Sequence, residues 1–550
     1  MKRGFSFLIQ GHNQQLDISF NNEEFDNLYI DNAEILIIFE GVLLNRKQLI
    51  NMYAAKSYAY LIQELFKNKK DAFLSELEGE FRGMIWDKIN QKIYAFTNAT
   101  STKQLFYYHK DGILLVDTGL QSIFKNLQQL GENPKIDIES MYQLLAFTNL
   151  IENKTPLENV KKIYDAHCII FDIQEQELFE KQYYNVESES FSGTYEQALK
   201  RNHEIFSEAV ALEYQKDDAL EKRHFALLSG GLDSRVALLY ADKLGEKPQD
   251  AFCFSQSGYL DETISRKIAK DYQYNYIFKE LDGGDYLKNI DRLMSFSEGM
   301  VLYTGSIHVD YAINQSKINN PGMIHSGQIG DGILGGFNSV PKLKKPDYYK
   351  ILVNPKFLSN VEESLKASIE KYDREEVFLL RNIAFNRTVL GTKVWEQISH
   401  QTSPFMHKDF MNFALSLPEN WKFKHRFYID WIKKYSPEST QYTWERTLLK
   451  PNAKWKTYFG DQFLKRAQNA VYNKLLNLEQ KISMYPYQFY FNNNTSLQEV
   501  YQSYFADNVS RLDGFPDLKK DVETLFSEKD FFSKSSAINI LAVFKYFSIG

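Results

Sequence analysis

Short apolar runs separated by polar turns dominate the first 190 residues of the chain. The turn signal KDG is one example, and helical spacing of apolar residues occurs in YAYLIQELFKN and DIESMYQLLAF. Runs of this kind predict β-strands, and 3.6-residue spacing predicts helices. The pattern therefore predicts an α+β sandwich over residues 1–190. Its strand segments are GFSFLIQG, AEILIIFEGVLL, FRGMIWDKINQKIYAFTNA, KQLFYYHKDGILLVDTG and AHCIIFDI.

Residues 191–550 follow a different pattern, in which strands and helices alternate. HFALL (His224 to Leu228) is typical of a buried strand, and SRVALLYADKL (Ser234 to Leu244) has helical spacing. The strand DAFCFSQ, the helix DETISRKIAKDY and the strand NYIFKEL come next. This alternation predicts an α/β, doubly wound domain with a parallel sheet. The segment after residue 460 adds a helical, aromatic C-terminal part.

A glycine pair occupies the turn between the first strand and the first helix of this second domain. Glycines lack Cβ, so the backbone can approach a ligand closely. The N–H groups at the start of the helix, with two serine hydroxyls, make a site for an anion. An aspartate in the same turn fits a phosphate site best when a metal ion lies between the charges. The predicted phosphate-binding residues are Ser229, Gly230, Gly231, Leu232, Asp233 and Ser234.

Composition narrows the class of protein. A chain of 550 residues with 43% hydrophobic side chains can form more than one folded core, and a net charge of −6 provides no basic surface for nucleic acid or anionic membranes. Cys168 and Cys253 lie in apolar runs, as buried thiols of a reducing compartment do. No apolar stretch reaches membrane length. We therefore expect a soluble, cytoplasmic protein without nucleic-acid or membrane partners.

The string SGGLDS resembles the pyrophosphate loop of the N-type ATP pyrophosphatases, specifically of asparagine synthetase and its relatives. The resemblance implies that ATP is cleaved between its α and β phosphates, that AMP is attached to a carboxylate, and that an amine then displaces it. ATP and Mg²⁺ are the implied cofactors.

Residues 1–190 resemble the class II glutamine amidotransferase domain of that family, which implies an Ntn-hydrolase-like sandwich. The segment ELEGEFRGMIWDKINQKIYAFTNATSTKQLFYYH carries much of the resemblance. The family nucleophile is a cysteine exposed by removal of Met1, but here Lys2 follows and no cysteine precedes Cys168. The family's Arg-Asp-x-x-Gly segment is replaced by TNATSTK (Thr97 to Lys103). We therefore expect a degenerate domain without glutaminase activity.

A second glycine-rich turn, GMIHSGQIGDGILGGF (Gly322 to Phe337), resembles the family segment Ser-Gly-Glu-Gly-x-Asp-Glu. The resemblance implies that Asp331 shares Mg²⁺ with Asp233 and that Gly327 lets the backbone approach the nucleotide. Ser255, at the end of the second strand, is expected near adenine. The chain departs from the family at Gln328, where a glutamate or tyrosine is usual, and at Gly332, where the family has its second acidic residue.

Candidate catalytic residues lie in two further segments. In VWEQISHQTSPFMHKDF, His400 aligns with the family glutamate, and Glu396, one helical turn earlier, is a possible substitute. Gln328 with His400 is one possible acid–base pair, and a structural role for His400 is the alternative. In WERTLLKPNAKWKTYFG, Lys456 fits the spacing of the family's mobile lysine, which reaches the α-phosphate, and Lys450 is the rival.

The resemblance implies an ATP-dependent amide-forming ligase whose substrate is a small-molecule or peptide carboxylate. Without a glutaminase, the substrate itself can supply the amine, as in β-lactam synthetase or the cyclase that closes lasso peptides. The latter would involve a precursor peptide and a partner protease. Amidation with external ammonia and a catalytically inactive nucleotide-binding protein are the alternatives.

Overall fold

Two antiparallel sheets form the N-terminal part of the computed structural model, which describes residues 4–11, 13–20, 24–187, 189–474 and 482–549. Met1 and Lys2, on which the missing nucleophile depends, lie outside the described residues. One sheet has the strand order β2-β1-β8-β7-β9, and the other β11-β10-β6-β5-β4-β3. The strands are β1 (Phe5–Gln10), β2 (Asn13–Ile18), β3 (Leu28–Asp31), β4 (Ile35–Leu43), β5 (Gly79–Asp87), β6 (Lys92–Thr97), β7 (Phe106–Lys110), β8 (Ile113–Asp117), β9 (Val160–Lys162), β10 (His167–Asp172) and β11 (Glu177–Gln182).

The two sheets pack face to face between layers of helix. Helices α1 (Arg46–Met52) and α2 (Tyr58–Lys69) cover the six-stranded sheet, and α3 (Leu120–Gln129) and α4 (Ile138–Phe147) cover the five-stranded one. Strand β4 shows why both faces of its sheet are covered, because its side chains alternate between two cores. Ile38 packs between the sheets and Phe39 packs toward α2. The predicted α+β sandwich is confirmed.

A parallel five-stranded sheet forms the core of the second part, with the order β14-β13-β12-β15-β16. Its strands are β12 (Arg223–Leu227), β13 (Asp250–Ser255), β14 (Asn275–Glu280), β15 (Pro321–His325) and β16 (Gln401–Thr402). Ala226 packs with Leu239 and Ile268 on one face, whereas Phe225 packs against Trp395 on the other. Both faces are therefore covered, as the alternating pattern predicts. The strand order reverses between β12 and β15, and ligands bind at such a switch point in open α/β sheets.

Helices surround this sheet and form the C-terminal part. A capping box at Thr194 and Gln197 starts the longest of them, α5. The predicted domain boundary at residue 190 falls between β11 and α5 and stays a prediction. The helices are α5 (Tyr195–Ala219), α6 (Leu232–Leu244), α7 (Leu260–Tyr272), α8 (Ile290–Ser297), α9 (Ile307–Asn314), α10 (Leu358–Glu370), α11 (Glu375–Leu379), α12 (Lys408–Ser416), α13 (Glu419–Lys422), α14 (Arg426–Tyr435), α15 (Lys454–Phe459), α16 (Lys465–Lys474), α17 (Tyr487–Asn493), α18 (Thr495–Asn508), α19 (Pro516–Ser527) and α20 (Phe531–Tyr546). Within the described ranges, none of them has the length and apolar character that a membrane crossing requires.

Buried charges on α5 fix the end of β15. His325 contacts Asp217 through Nε2 at 2.8 Å and Glu213 through Nδ1 at 3.3 Å. His407 contacts the same Glu213 carboxylate at 3.0 Å. Burial alone would lower the pKa of His325, but Asp217 and Glu213 raise it to about 9. The charged His325 side chain thus anchors the end of β15, just before the second glycine-rich turn.

The charge on His325 predicts a pH dependence of stability. Its folded pKa of about 9 lies above the ordinary 6.5, so its stabilisation is complete below about pH 6.5 and is lost as the pH rises through about 9. We expect urea titrations to show the free energy of unfolding falling by up to about 3 kcal/mol across this window. The variant His325→Gln should be less stable at pH 6.5 and show a flatter profile. The control His203→Gln should leave this window unchanged, because burial lowers the pKa of His203. A wild-type profile that is flat across the window would contradict the assignment.

Candidate active site

The first glycine-rich turn joins β12 to α6 and is held by its own serines. The Gly231 N–H donates to Ser229 Oγ at 3.1 Å, and the Ser229 N–H donates to Ser234 Oγ at 3.1 Å. The two hydroxyls lie 3.0 Å apart. Gly231 is the N-cap of α6, so the free N–H groups of the first helical turn are directed here, as the sequence predicts. The Gly230 N–H donates to Asp261 at 2.8 Å.

A buried guanidinium ties this turn to the segment that carries the candidate lysines. Arg235 Nη2 donates to the Gly230 carbonyl at 2.9 Å and to the Thr443 carbonyl at 2.8 Å, and Nη1 donates to the Tyr442 carbonyl at 3.1 Å. Burial lowers the pKa of Arg235 to about 10. Arg235 is not among the residues predicted from the sequence, although an arginine directly after SGGLDS on a buried helix is an unusual choice that signals a specific partner.

The second glycine-rich turn follows β15 and contacts the first turn directly. A Cβ on Gly327 would lie 2.2 Å from the Asp233 carbonyl carbon and 2.3 Å from the Ser234 nitrogen. A Cβ on Gly330 would lie 2.8 Å from Asp233 Cγ. Ile329 has a φ of 65°, which is a strained conformation for a β-branched residue. Both glycines are thus required by the contact between the turns.

The two predicted metal ligands come together at this contact. The Asp331 N–H donates to Asp233 Oδ2 at 2.8 Å, and the Tyr428 hydroxyl donates to Asp233 Oδ1 at 2.9 Å. Burial and the Asp331 charge raise the pKa of Asp233 well above its ordinary value. Arg446 Nη1 lies 3.3 Å from Asp331 Oδ2, and its Nε lies 3.0 Å from Asp461. The pair therefore attracts a cation, and Arg446 already supplies one.

These carboxylates fit Mg²⁺, which prefers one or two carboxylates together with phosphate oxygens. Asp233 and Asp331 would hold the ion, which would neutralise the phosphates of a bound nucleotide. Their sharing of a metal stays a prediction.

Ser255 ends β13, as predicted, but its side chain is completely buried. Its hydroxyl donates to the Gln256 carbonyl at 3.1 Å. A contact with adenine would require the serine to become exposed, so that role stays a prediction.

His400, the partner predicted for Gln328, does not line the cavity in which the Gln328 side chain lies. Gln328 Nε2 donates to Thr392 at 2.9 Å, and Gln328 lines a cavity together with Glu396. His400 lies at the domain interface instead, where its ring packs edge-on against Phe25 at 4.5 Å between centroids. Its carbonyl pairs with the Ile324 N–H, four residues before Gln328. The structure therefore places the Glu396 alternative, rather than His400, in the cavity with Gln328.

Among the described residues, neither candidate lysine forms an ion pair with Asp233 or Asp331. Lys456 lies on α15 and is half-buried, with Nζ 5.8 Å from the Trp455 ring, whereas Lys450 is exposed. The cation that contacts the aspartate pair is Arg446, earlier in the same segment. Which of the lysines reaches a phosphate stays a prediction.

Comparison with known proteins shows two family matches in this chain. Residues 12–184 match the family model described as a glutamine amidotransferase domain, and residues 204–388 match the model described as asparagine synthase.

The curated relatives are distant. "Asparagine synthetase [glutamine-hydrolyzing] 1" of Bacillus subtilis is 21% identical over 315 residues, covering 55% of this chain and 48% of the relative. A probable asparagine synthetase of Acanthamoeba polyphaga mimivirus is 23% identical, covering 75% of this chain and 71% of the relative. "Amidase chyE" of Penicillium rubens is 26% identical, covering 40% and 34%. The chain thus spans half or less of the length of several curated relatives it matches.

A solved glutamine phosphoribosylpyrophosphate amidotransferase from B. subtilis aligns with a TM-score of 0.22 and 8% identity, covering 52% of this chain and 61% of that one. Overlap at this level does not establish a common fold.

The contact between the turns makes a specific prediction. Gly327→Ala should force the turns apart, because its Cβ would overlap the backbone of Asp233 and Ser234. We expect calorimetry to show loss of Mg·ATP binding by at least tenfold, with the protein still folded by circular dichroism. Gly305→Ala is the matched control, since no atom lies within 4 Å of its Cβ. Unchanged affinity in Gly327→Ala would exclude this contact from the nucleotide site.

Proposed function

Because the chain belongs to an asparagine synthetase-like family, we propose that it is an ATP-dependent ligase that adenylates a substrate carboxylate and joins the acyl group to an amine. AMP and pyrophosphate are the other products. The contact of the two glycine-rich turns carries the proposal, because it joins a helix N-terminus to a pair of adjacent carboxylates at the switch point of a parallel sheet.

Each part of this site has a role in the first step. The N–H groups at the start of α6 and the hydroxyls of Ser229 and Ser234 bind the pyrophosphate part of ATP. Mg²⁺ held by Asp233 and Asp331 would offset the charge of the phosphates. Arg235 ties the turn to the carbonyls of residues 439, 442 and 443, directly before the segment whose cations, Arg446, Lys450 and Lys456, are the candidates to meet the α-phosphate.

The amine source distinguishes the variants of this proposal. Residues 97–103, which replace the family's Arg-Asp-x-x-Gly, are held in place by the Asn98 side chain. It donates to the Gly79 carbonyl of β5 at 3.1 Å and to the Thr102 hydroxyl at 2.7 Å. This arrangement supports loss of glutaminase activity. A substrate that carries its own amine, as for a β-lactam synthetase or a lasso-peptide cyclase with its precursor peptide and protease, is then the first candidate.

Amidation with external ammonia is the second candidate, and one observation favours it. The cavity beside Gln328 has a volume of about 30 Å³ and is lined in part by charged side chains, which suits a molecule the size of ammonia better than a long peptide.

The decisive experiment measures AMP and pyrophosphate formation with a panel of carboxylates, starting with L-aspartate, and traps the acyl group with hydroxylamine. We expect wild type to form a hydroxamate and Asp331→Asn to lose most Mg²⁺-dependent pyrophosphate release, because one of two carboxylates is removed. Asp461→Asn, which removes the other Arg446 partner, is the matched control. Glutamate release from glutamine should stay at background. ATP binding without pyrophosphate release from any carboxylate would instead favour a catalytically inactive nucleotide-binding protein.

The cation that meets the α-phosphate can be identified by substitution. Loss of one transition-state contact typically costs about 3 kcal/mol, or about a hundredfold in rate. We expect Lys456→Met to lower turnover by that factor with little change in ATP affinity, and Lys450→Met to be mild. The reverse result would place the catalytic cation six residues earlier in the loop. If both lysine variants are mild and Arg446→Met is not, Arg446 is the cation.

A further inference from the structure

The cavity beside Gln328 is built by both parts of the chain. The N-terminal part contributes Glu80, Thr102 and Lys103, and the C-terminal part contributes Gln328 and Glu396 among others. Gln328 directly follows Gly327, which packs on Asp233 of the first turn. A small molecule in the cavity is thus next to the nucleotide site.

An amine that attacks an acyl-adenylate must reach it with a free lone pair, so an ammonium ion has to give a proton to a base first. Gln328 provides none, because its amide does not titrate and donates to Thr392. Two carboxylates line the cavity, those of Glu80 and Glu396.

Glu396 is poorly suited to accept a proton. Lys103 Nζ contacts Glu396 Oε1 at 2.9 Å, and the Lys103 side chain is nearly fully buried. Burial would raise the pKa of Glu396, but Lys103, Lys393 and Arg82 lower it to about 2. The Glu396 carboxylate therefore stays ionised and paired, and it holds Lys103 across the domain interface.

Glu80 differs in its surroundings. Its carboxylate is buried and accepts hydrogen bonds from Asn98 Nδ2 at 3.2 Å and from the Thr102 hydroxyl. Among the described residues, no cation lies within ion-pair distance of it. Burial raises its pKa to about 7, although Thr102 and Lys103 act in the opposite direction. A carboxylate with this pKa can both accept and release a proton near neutral pH.

We propose that Glu80 accepts a proton from the incoming amine, so that the N-terminal part supplies a catalytic carboxylate to the neighbouring ligase site. This rests on the proposed function. A proton passes from the ammonium nitrogen to a Glu80 oxygen, and the freed lone pair forms the C–N bond at the acyl carbon. The C–O bond to AMP then breaks, and its electron pair leaves with the AMP phosphate. The nitrogen loses its second proton to solvent, and Glu80 later releases the first.

Two amines of different protonation state test this role. Hydroxylamine is largely uncharged at neutral pH, whereas ammonia is present as ammonium. With ATP and the carboxylate found above, we expect Glu80→Gln to lower amide formation from ammonium chloride by about a hundredfold, within the usual range for loss of a general base. Hydroxamate formation and pyrophosphate release should change by less than about threefold.

Glu78→Gln is the matched control. Glu78 lies two residues before Glu80, and its carboxylate accepts from the Lys408 N–H at the interface without lining the cavity. Because the charge of Glu78 is one cause of the raised pKa of Glu80, this variant should move the break in the pH profile to lower pH. It should keep both activities. In wild type, the rate at fixed total ammonium should level off above about pH 7 and fall below it. In Glu80→Gln this break should be absent, because the rate should follow free ammonia and keep rising with pH up to the pKa of ammonium itself.

The outcomes separate the two proposals. Equal loss with both amines, or no loss with either, would overturn the role of Glu80 while leaving the ligase intact. If wild type forms no pyrophosphate with any carboxylate, the proposed function fails and the role of Glu80 fails with it.

Discussion

The candidate site depends on the absence of a side chain at Gly327. Its Cα lies so close to the backbone of Asp233 and Ser234 that a Cβ would overlap both. This approach lets the Asp331 N–H reach the Asp233 carboxylate, which brings two like charges together at the end of the sheet. Such a pair needs a cation, and that need explains both the contact with Arg446 and the suitability of the site for Mg·ATP.

Buried charges hold the two glycine-rich turns in this close contact. A charge removed from water is costly unless it is paired, so each buried ion restricts the position of its partner. Arg235 fixes the Gly230 carbonyl and the segment near Thr443, and the Glu213 and Asp217 carboxylates fix His325 at the end of β15. Helix α5 therefore holds one turn, and α6 holds the other.

The N-terminal part keeps its layered sandwich while the residues expected for glutaminase chemistry are replaced. Core packing depends on alternating apolar strand positions such as Ile38 and Phe39. Polar substitutions in the loops leave these positions unchanged. The loop residues that changed include Thr102 and Lys103, and both now line the cavity beside Gln328. The N-terminal part thus contributes side chains to a cavity of the neighbouring part.

Strand and helix periodicity are local properties, so the strands and helices that these patterns predicted occur in the predicted order. The predicted strand at His224 to Leu228 became Arg223–Leu227, and the predicted helix at Ser234 to Leu244 became Leu232–Leu244. The pairing of Asp233 with Asp331 was expected from the family resemblance, and the adjacency of β12 and β15 in the sheet brings the two residues together. The partners of side chains far apart in the chain became known only from the packed structure: His400 on Phe25, Lys103 on Glu396, and Arg446 on Asp331. No periodicity encodes such contacts, because they arise where separately formed layers pack together and every buried charge must find a partner.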